Sequence, residues 1–250
     1  MDWSARSVGL RVGGHRGTSA RAPENTVAAF ELSVADGAVY VETDIRQTAD
    51  GALVVMHDAT VDRTTDGHGP IAGLSLAEVL RLDAGAWYGP DFGGQRVMQF
   101  DEFLRWVEGR RGFGAAIEVK AAGIGGEVAR RAWASPSREH FAIYSFLPNE
   151  IVAAKAAQPD LQCVLLLRLD DDPALVVDRI SACHADGADV PWQWKAIDLI
   201  AAMRDRNWLV GGGSAAGDQA ARELLDLGVD MIDTDDPAAM LATAGRLRAD

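Results

Sequence analysis

FAIYSF (141–146), LPNEIVAAKAAQPDLQ (147–162) and CVLLLRL (163–169) decide how the chain is read. A short apolar run, a stretch of helical length and a second apolar run predict a strand, a helix over 149–157 and another strand. The same alternation extends in both directions. Towards the C-terminus, a helix near 173–182 leads to ADVPW (188–192) and a helix at 195–205. WLVGG (208–212) precedes a helix at 217–226, and VDMID (229–233) precedes one at 237–247, opened by Asp236-Pro237 as N-cap and first-turn proline. Towards the N-terminus, AAIEV (115–119) is followed by a helix near 125–134. VYVETDI (39–45) pairs with a helix at 100–109, and LRVGG (10–14) with one at 26–36.

Eight strand-then-helix units in 250 residues predict an α/β fold, a closed (β/α)8 TIM barrel, as a single domain over 1–250. A doubly wound open sheet is the alternative, but no GxGxxG follows a strand. Residues 47–99 interrupt the pattern. They separate the second strand from its helix, are rich in turns (DGHGP, GPDFGG) and carry a short apolar run, LVVMH (53–57). They read as a small inserted lobe after strand 2, over the barrel mouth.

Composition excludes several classes. Apolar residues make up 48%, enough for a sizeable core, and the net charge is −13. An acidic surface argues against nucleic acid and against stable association with anionic membranes. The two cysteines, Cys163 and Cys183, form no CxxC motif, and the N-terminal segment has no apolar run of signal-peptide length. No stretch approaches the ~18 apolar residues of a membrane span. The expectation is a cytoplasmic protein in a reducing compartment.

In a barrel, chemistry belongs at the C-terminal ends of the strands. His15-Arg16-Gly17 follows the first strand. Glu42 and Asp44 share one face of the second, and Glu118 and Lys120 share one face of the next, by the two-residue period. Three carboxylates then converge near a Lys, an Arg and a His. Burying such a set unpaired is very costly. A divalent cation offsets that cost, and all-oxygen ligation favours Mg²⁺ or Ca²⁺. Arg16 and Lys120 suit a phosphate. His57 ends the extra strand, and two histidines beside a cation and a phosphate can act as general acid and base. Together these residues suggest metal-assisted cleavage of a phosphate ester. Each motif also has a plainer reading. HRG is often a surface turn, EVK a salt-bridged strand end, and His57-Asp58 a turn with an Asp cap. His68, His140 and His184 read as loop or structural residues. Trp192 and Trp194 are either packing or a substrate-facing rim. Gly211–Gly213 is either a flexible turn or a phosphate cradle of backbone N–H groups. Asp233, at a strand end, has no assigned role.

Taken in order, GGHRG (13–17), APENTVAAF (22–30), VETDIRQTADGALVVMHDATVDRTTDGHG (41–69), IEVK (117–120), SF (145–146) and DTDDP (233–237) resemble the glycerophosphodiester phosphodiesterase family. The resemblance is dense over 13–69 and thinner after 150. It implies a barrel with an insertion after the second strand. Glu42, Asp44 and Glu118 match the family's metal ligands, His15 and His57 its acid/base pair, and Arg16 and Lys120 its phosphate-holding groups. It also implies a small-molecule glycerophosphodiester substrate, cleaved to sn-glycerol 3-phosphate and an alcohol, with the glycerol 2-hydroxyl helping to displace that alcohol. The chain departs from the pattern at three places. WLVGGGS replaces a Trp-Thr-Val-Asn-like run, Val97-Met98 replaces Ile-Pro, and Asp233 replaces an apolar residue. Two rival readings keep the same site: a lysophospholipase D or sphingomyelinase D-like enzyme, which needs an apolar rim such as Trp87, Tyr88 and Phe92 could offer, and a non-catalytic phosphodiester-binding barrel. A sugar-phosphate isomerase or aldolase fits three carboxylates and two histidines poorly.

Overall fold

The computed structural model describes Trp3 and residues 10–249. Most of the N-terminal segment weighed above as a signal peptide, residues 1–2 and 4–9, therefore lies outside the described residues. The chain runs β1 (Arg11–Gly14), α1 (Val27–Ala35), β2 (Tyr40–Gln47), β3 (Leu53–Val55), α2 (Leu76–Val79), α3 (Phe100–Glu108), β4 (Gly114–Val119), α4 (Gly125–Ala134), β5 (Phe141–Ser145), α5 (Pro148–Ala157), β6 (Gln162–Leu166), α6 (Val176–Cys183), β7 (Gly187–Asp189), α7 (Ile197–Asp205), β8 (Leu209–Ser214), α8 (Gly217–Leu227), β9 (Met231–Thr234) and α9 (Pro237–Ala249). The parallel strands follow the order β1-β9-β8-β7-β6-β5-β4-β2, and β1 pairs with β2 to close the ring. This is the (β/α)8 barrel that the alternation predicts. β3 stands outside it, antiparallel to β2.

The two-residue period of each strand sorts its side chains into two cores. In β2, Val41 and Ile45 face outward and join Phe30, Phe103, Ile117 and Ile143 between barrel and helices. Tyr40 faces inward, where Ala116, Ala142, Tyr144, Val164, Leu209 and Met231 fill the barrel. Trp3 plugs this interior, edge-on to Tyr40 at 5.1 Å and to Tyr144 at 6.0 Å. Gly13 is needed beside them, because a Cβ there would lie 2.2 Å from the Tyr40 ring. Val39, read as part of the buried strand, precedes β2 and is 40% exposed.

The lobe has a core of its own, built from Val54, Met56, Val61, Ile71, Val79, Ala84 and Val97. Arg46, on β2, donates from Nε to the His57 carbonyl at 2.7 Å and so pins the end of β3 to the barrel. Trp87, Tyr88 and Phe92 pack edge to edge, and the Tyr88 hydroxyl donates to the Ala20 carbonyl at 2.7 Å. These aromatics bolt the lobe to the loop after β1. Among the described residues, no helix is long and apolar enough to cross a membrane.

Candidate active site

Inward-facing positions near the C-terminal ends of β2 and β4 carry Glu42, Asp44 and Glu118, all buried. One oxygen from each lies within 4.8 Å of the others. Parallel pairing sets Asp44 beside Glu118 in register. Lys120 Nζ sits 2.9 Å from Glu118 Oε2 and 3.3 Å from Asp44 Oδ1. Arg16 lies on the other side, with Nε 3.5 Å from Asp44 Oδ2. Its backbone takes a left-handed φ of 56°, unusual for a non-glycine residue and typical of functional sites. In that conformation the Arg16 N–H donates to Glu42 Oε2 at 3.0 Å.

Asn25 completes the setting of Asp44. Its Nδ2 donates to Asp44 Oδ2, and its Oδ1 accepts from Thr43, each at 2.8 Å. Glu24 gathers two cations, accepting from Arg16 at 2.9 Å and from Arg63 at 2.7 and 2.8 Å. These residues come from the PENT stretch, where the sequence offers a resemblance but no partner.

Charge separates the three acids. Burial pushes the Asp44 carboxyl up, but Lys120 and Arg16 outweigh it and hold it below the ordinary range. Burial, then the Asp44 and Glu118 charges, drive Glu42 well above that range. Burial and the neighbouring Asp44 raise Glu118 to about 7. The set is therefore short of positive charge. Glu42 Oε1 and Asp44 Oδ1 are also buried without a hydrogen-bond partner. Oxygen donors left in this state fit a hard divalent cation.

Each candidate histidine has a carboxylate behind it. His15 Nδ1 lies 2.7 Å from Asp235 Oδ1, which also accepts from Ser19 at 2.9 Å. His57 Nδ1 lies 2.6 Å from Asp58 Oδ1, and Arg63 Nε donates to Asp58 Oδ2 at 2.7 Å. With Nδ1 engaged, Nε2 is the nitrogen left for a substrate proton. Burial lowers the His57 pKa below its ordinary value, against the raising effects of Asp44 and Asp58. Sequence alone offers Asp58 at most as a turn cap and gives Asp235 no role beyond its place in DTDDP. The His15–Asp235 pair spans 220 positions, so only the closure of β1 against β9 brings it together.

A cleft of about 250 Å³ opens beside the triad. Its lining includes His15, Glu42 and Glu118 together with the apolar surface of Phe146, Leu166 and Trp192. Trp194 holds the rim instead, donating from its indole to the Leu169 carbonyl at 3.0 Å. The glycine run is neither a loose turn nor the start of a loop. It continues β8 as far as Ser214, with an irregular register against β9. Asp189 and Asp233 line the same cleft, and sequence reading gave neither a role.

Fold and donor set define an α/β barrel whose acidic mouth suits a divalent cation and a phosphate. The family model for the glycerophosphoryl diester phosphodiesterase family matches residues 15–239. A glycerophosphodiester phosphodiesterase of Caldanaerobacter subterraneus subsp. tengcongensis is 31% identical over 234 residues, covering 91% of this chain and 94% of that one. YhdW of Bacillus subtilis is 45% identical over 106 residues, which span 42% of this chain and 43% of that relative. An Oleispira antarctica phosphodiesterase, solved with the product sn-glycerol-3-phosphate, superposes with a TM-score of 0.85 at 25% identity, over 94% of this chain and 96% of that one. The chain belongs to the glycerophosphodiester phosphodiesterase family.

Proposed function

We propose that this chain is a divalent-cation-dependent phosphodiesterase that hydrolyses glycerophosphodiesters to sn-glycerol 3-phosphate and an alcohol. One observation carries the reading. Glu42, Asp44 and Glu118 converge with Arg16, Lys120 and a histidine backed by an aspartate at a single barrel mouth, and His57 stands near enough to feel the charges of Asp44, Lys120 and Arg16. Membership of the family and the product held by the Oleispira antarctica relative support the substrate class.

The three carboxylates would hold Mg²⁺ or Ca²⁺, which supplies Lewis-acid stabilisation of charge on the phosphoryl oxygens. Arg16 and Lys120 bind the same oxygens and orient the diester. Of His15 and His57, one removes the proton of the attacking hydroxyl and the other returns a proton to the departing alkoxide. Asp235 and Asp58 fix the two rings and stabilise each when it is protonated. Two buried free cysteines accord with a cytoplasmic setting.

Glu42→Ala, Asp44→Ala and His57→Ala test the assignment against wild type loaded with Mg²⁺ or Ca²⁺. Loss of metal-dependent turnover is expected for the first two, and a fall in kcat of at least ~10²-fold for the third. Near-normal turnover in Glu42→Ala or Asp44→Ala would remove the ligand assignment. An unchanged kcat in His57→Ala would return that residue to a structural role.

A further inference from the structure

Asp189 and Asp233 take no part in the chemistry above, yet both are about 95% buried and line the cleft that Glu42 and Glu118 also line. They stand on β7 and β9, on either side of β8. Gly211 on β8 makes room for Asp189, since a Cβ there would lie 2.6 Å from Asp189 Oδ2. Asp233 Oδ1 is buried without a hydrogen-bond partner. The Tyr40 hydroxyl favours the ionised form of Asp233 from nearby but does not reach hydrogen-bond geometry.

The local charge does not balance. Arg16 and Lys120, with a divalent cation, neutralise the three triad carboxylates and the diester. His15, already paired with Asp235, is a side chain that favours the ionised form of Asp233. Burial and the neighbouring Asp233 push the Asp189 carboxyl well above its ordinary range, against the Gly213 backbone N–H. Arg168 is exposed at the rim, stacked 4.5 Å over Phe146. Two buried carboxylates therefore line a cleft together with Phe146, Leu166 and Trp192, and a bound cation would offset the cost of burying them. Aromatic and apolar surface beside two acids is suited to an ammonium group.

We infer, resting on the phosphodiesterase reading, that Asp189 and Asp233 form the subsite for the leaving alcohol and select alcohols that carry an ammonium group. The glycerol arm of a glycerophosphodiester bears no positive charge, so the cation belongs to the other arm. The sequence change at Asp233 and the glycine-rich β8 then serve one purpose. The first places a charge in the cleft, and the second clears the space across which Asp189 reaches.

The test compares kcat/KM for glycerophosphocholine, glycerophosphoethanolamine and glycerophosphoglycerol, using metal-loaded wild type, Asp189→Asn and Asp233→Asn. The expected result is a wild-type preference for the two ammonium diesters of about tenfold or more, reduced by about tenfold in each variant. Three results would overturn the inference. Wild type could turn over all three diesters equally. The variants could lose all three in the same proportion, which would place the carboxylates on the shared glycerol phosphate. Or Asp233→Asn could keep the preference while shifting the pH profile, which would make Asp233 a partner of His15. A wild type inactive on every diester, with metal bound, would sink the phosphodiesterase reading instead. Calorimetric binding of glycerophosphocholine against glycerophosphoglycerol then decides the subsite. Tighter choline-diester binding, lost in Asp189→Asn, supports it, and equal binding overturns it.

Discussion

The site depends on single atoms held by single partners, and the carboxylates behind the histidines show this most clearly. Asp58 raises the His57 pKa, while burial lowers it further than Asp58 restores it. Asp58→Asn removes the opposing influence. It should lower kcat by roughly 10–100-fold and move the acidic limb of the pH–rate profile to lower pH. A profile that stays in place would show that Asp58 does not act through His57. Asp233 carries a stability signature. Burial raises its pKa from the ordinary 3.8 to about 6. Between those values the folded state holds a proton that the unfolded state has released. The contribution of Asp233 is therefore intact below pH ~4 and is lost as pH rises through 6. Asp233→Asn should gain up to about 3 kcal/mol relative to wild type on going from pH 4 to pH 8. Urea unfolding at the two pH values measures it, and an equal difference at both would refute the burial argument.

At the scale of elements, the barrel depends on which residues fit its inward face. Gly13 on β1 leaves the space that the Tyr40 ring fills. Gly13→Ala should destabilise by about 1–3 kcal/mol through overpacking, read by denaturant unfolding. A neutral result would mean that Tyr40 has another place to go. This is also the scale at which the sequence was most and least legible. The parity of Glu42, Asp44, Glu118 and Lys120 along their strands was readable, because a two-residue period leaves only two faces. The alternation of apolar runs with helices likewise announced the barrel. Asp189 was hidden because β7 is three residues long and ends where ADVPW was read to continue. The glycines of β8 looked like a turn because no local signal shows that Asp189 occupies the space beside them. The Glu24 link to Arg16 and Arg63 was unreadable for another reason. It joins the loop before α1 to the lobe, a contact only the assembled barrel creates.

Over the whole molecule, the barrel closes the ring that brings β1, β2, β4 and β9 to one mouth, and the lobe adds His57 and Arg63 from above. Stability and function meet at the buried acids. A divalent cation that binds only the folded chain stabilises it by about 2.7 kcal/mol at a hundredfold excess over Kd. Adding Mg²⁺ or Ca²⁺ to chelated protein should raise Tm, and Glu42→Gln should abolish most of the rise. An equal rise in the variant would place the cation elsewhere. The claim that organises these observations is that the mouth cleaves a phosphodiester with the help of a metal. Its most direct test is phosphorus NMR of the products formed from a panel of glycerophosphodiesters and one lysolipid, with and without chelator. Release of sn-glycerol 3-phosphate from the water-soluble diesters, stopped by chelator and restored by divalent cation, is the predicted result. Intact diesters in the presence of demonstrably bound metal, or cleavage that ignores the chelator, would contradict it.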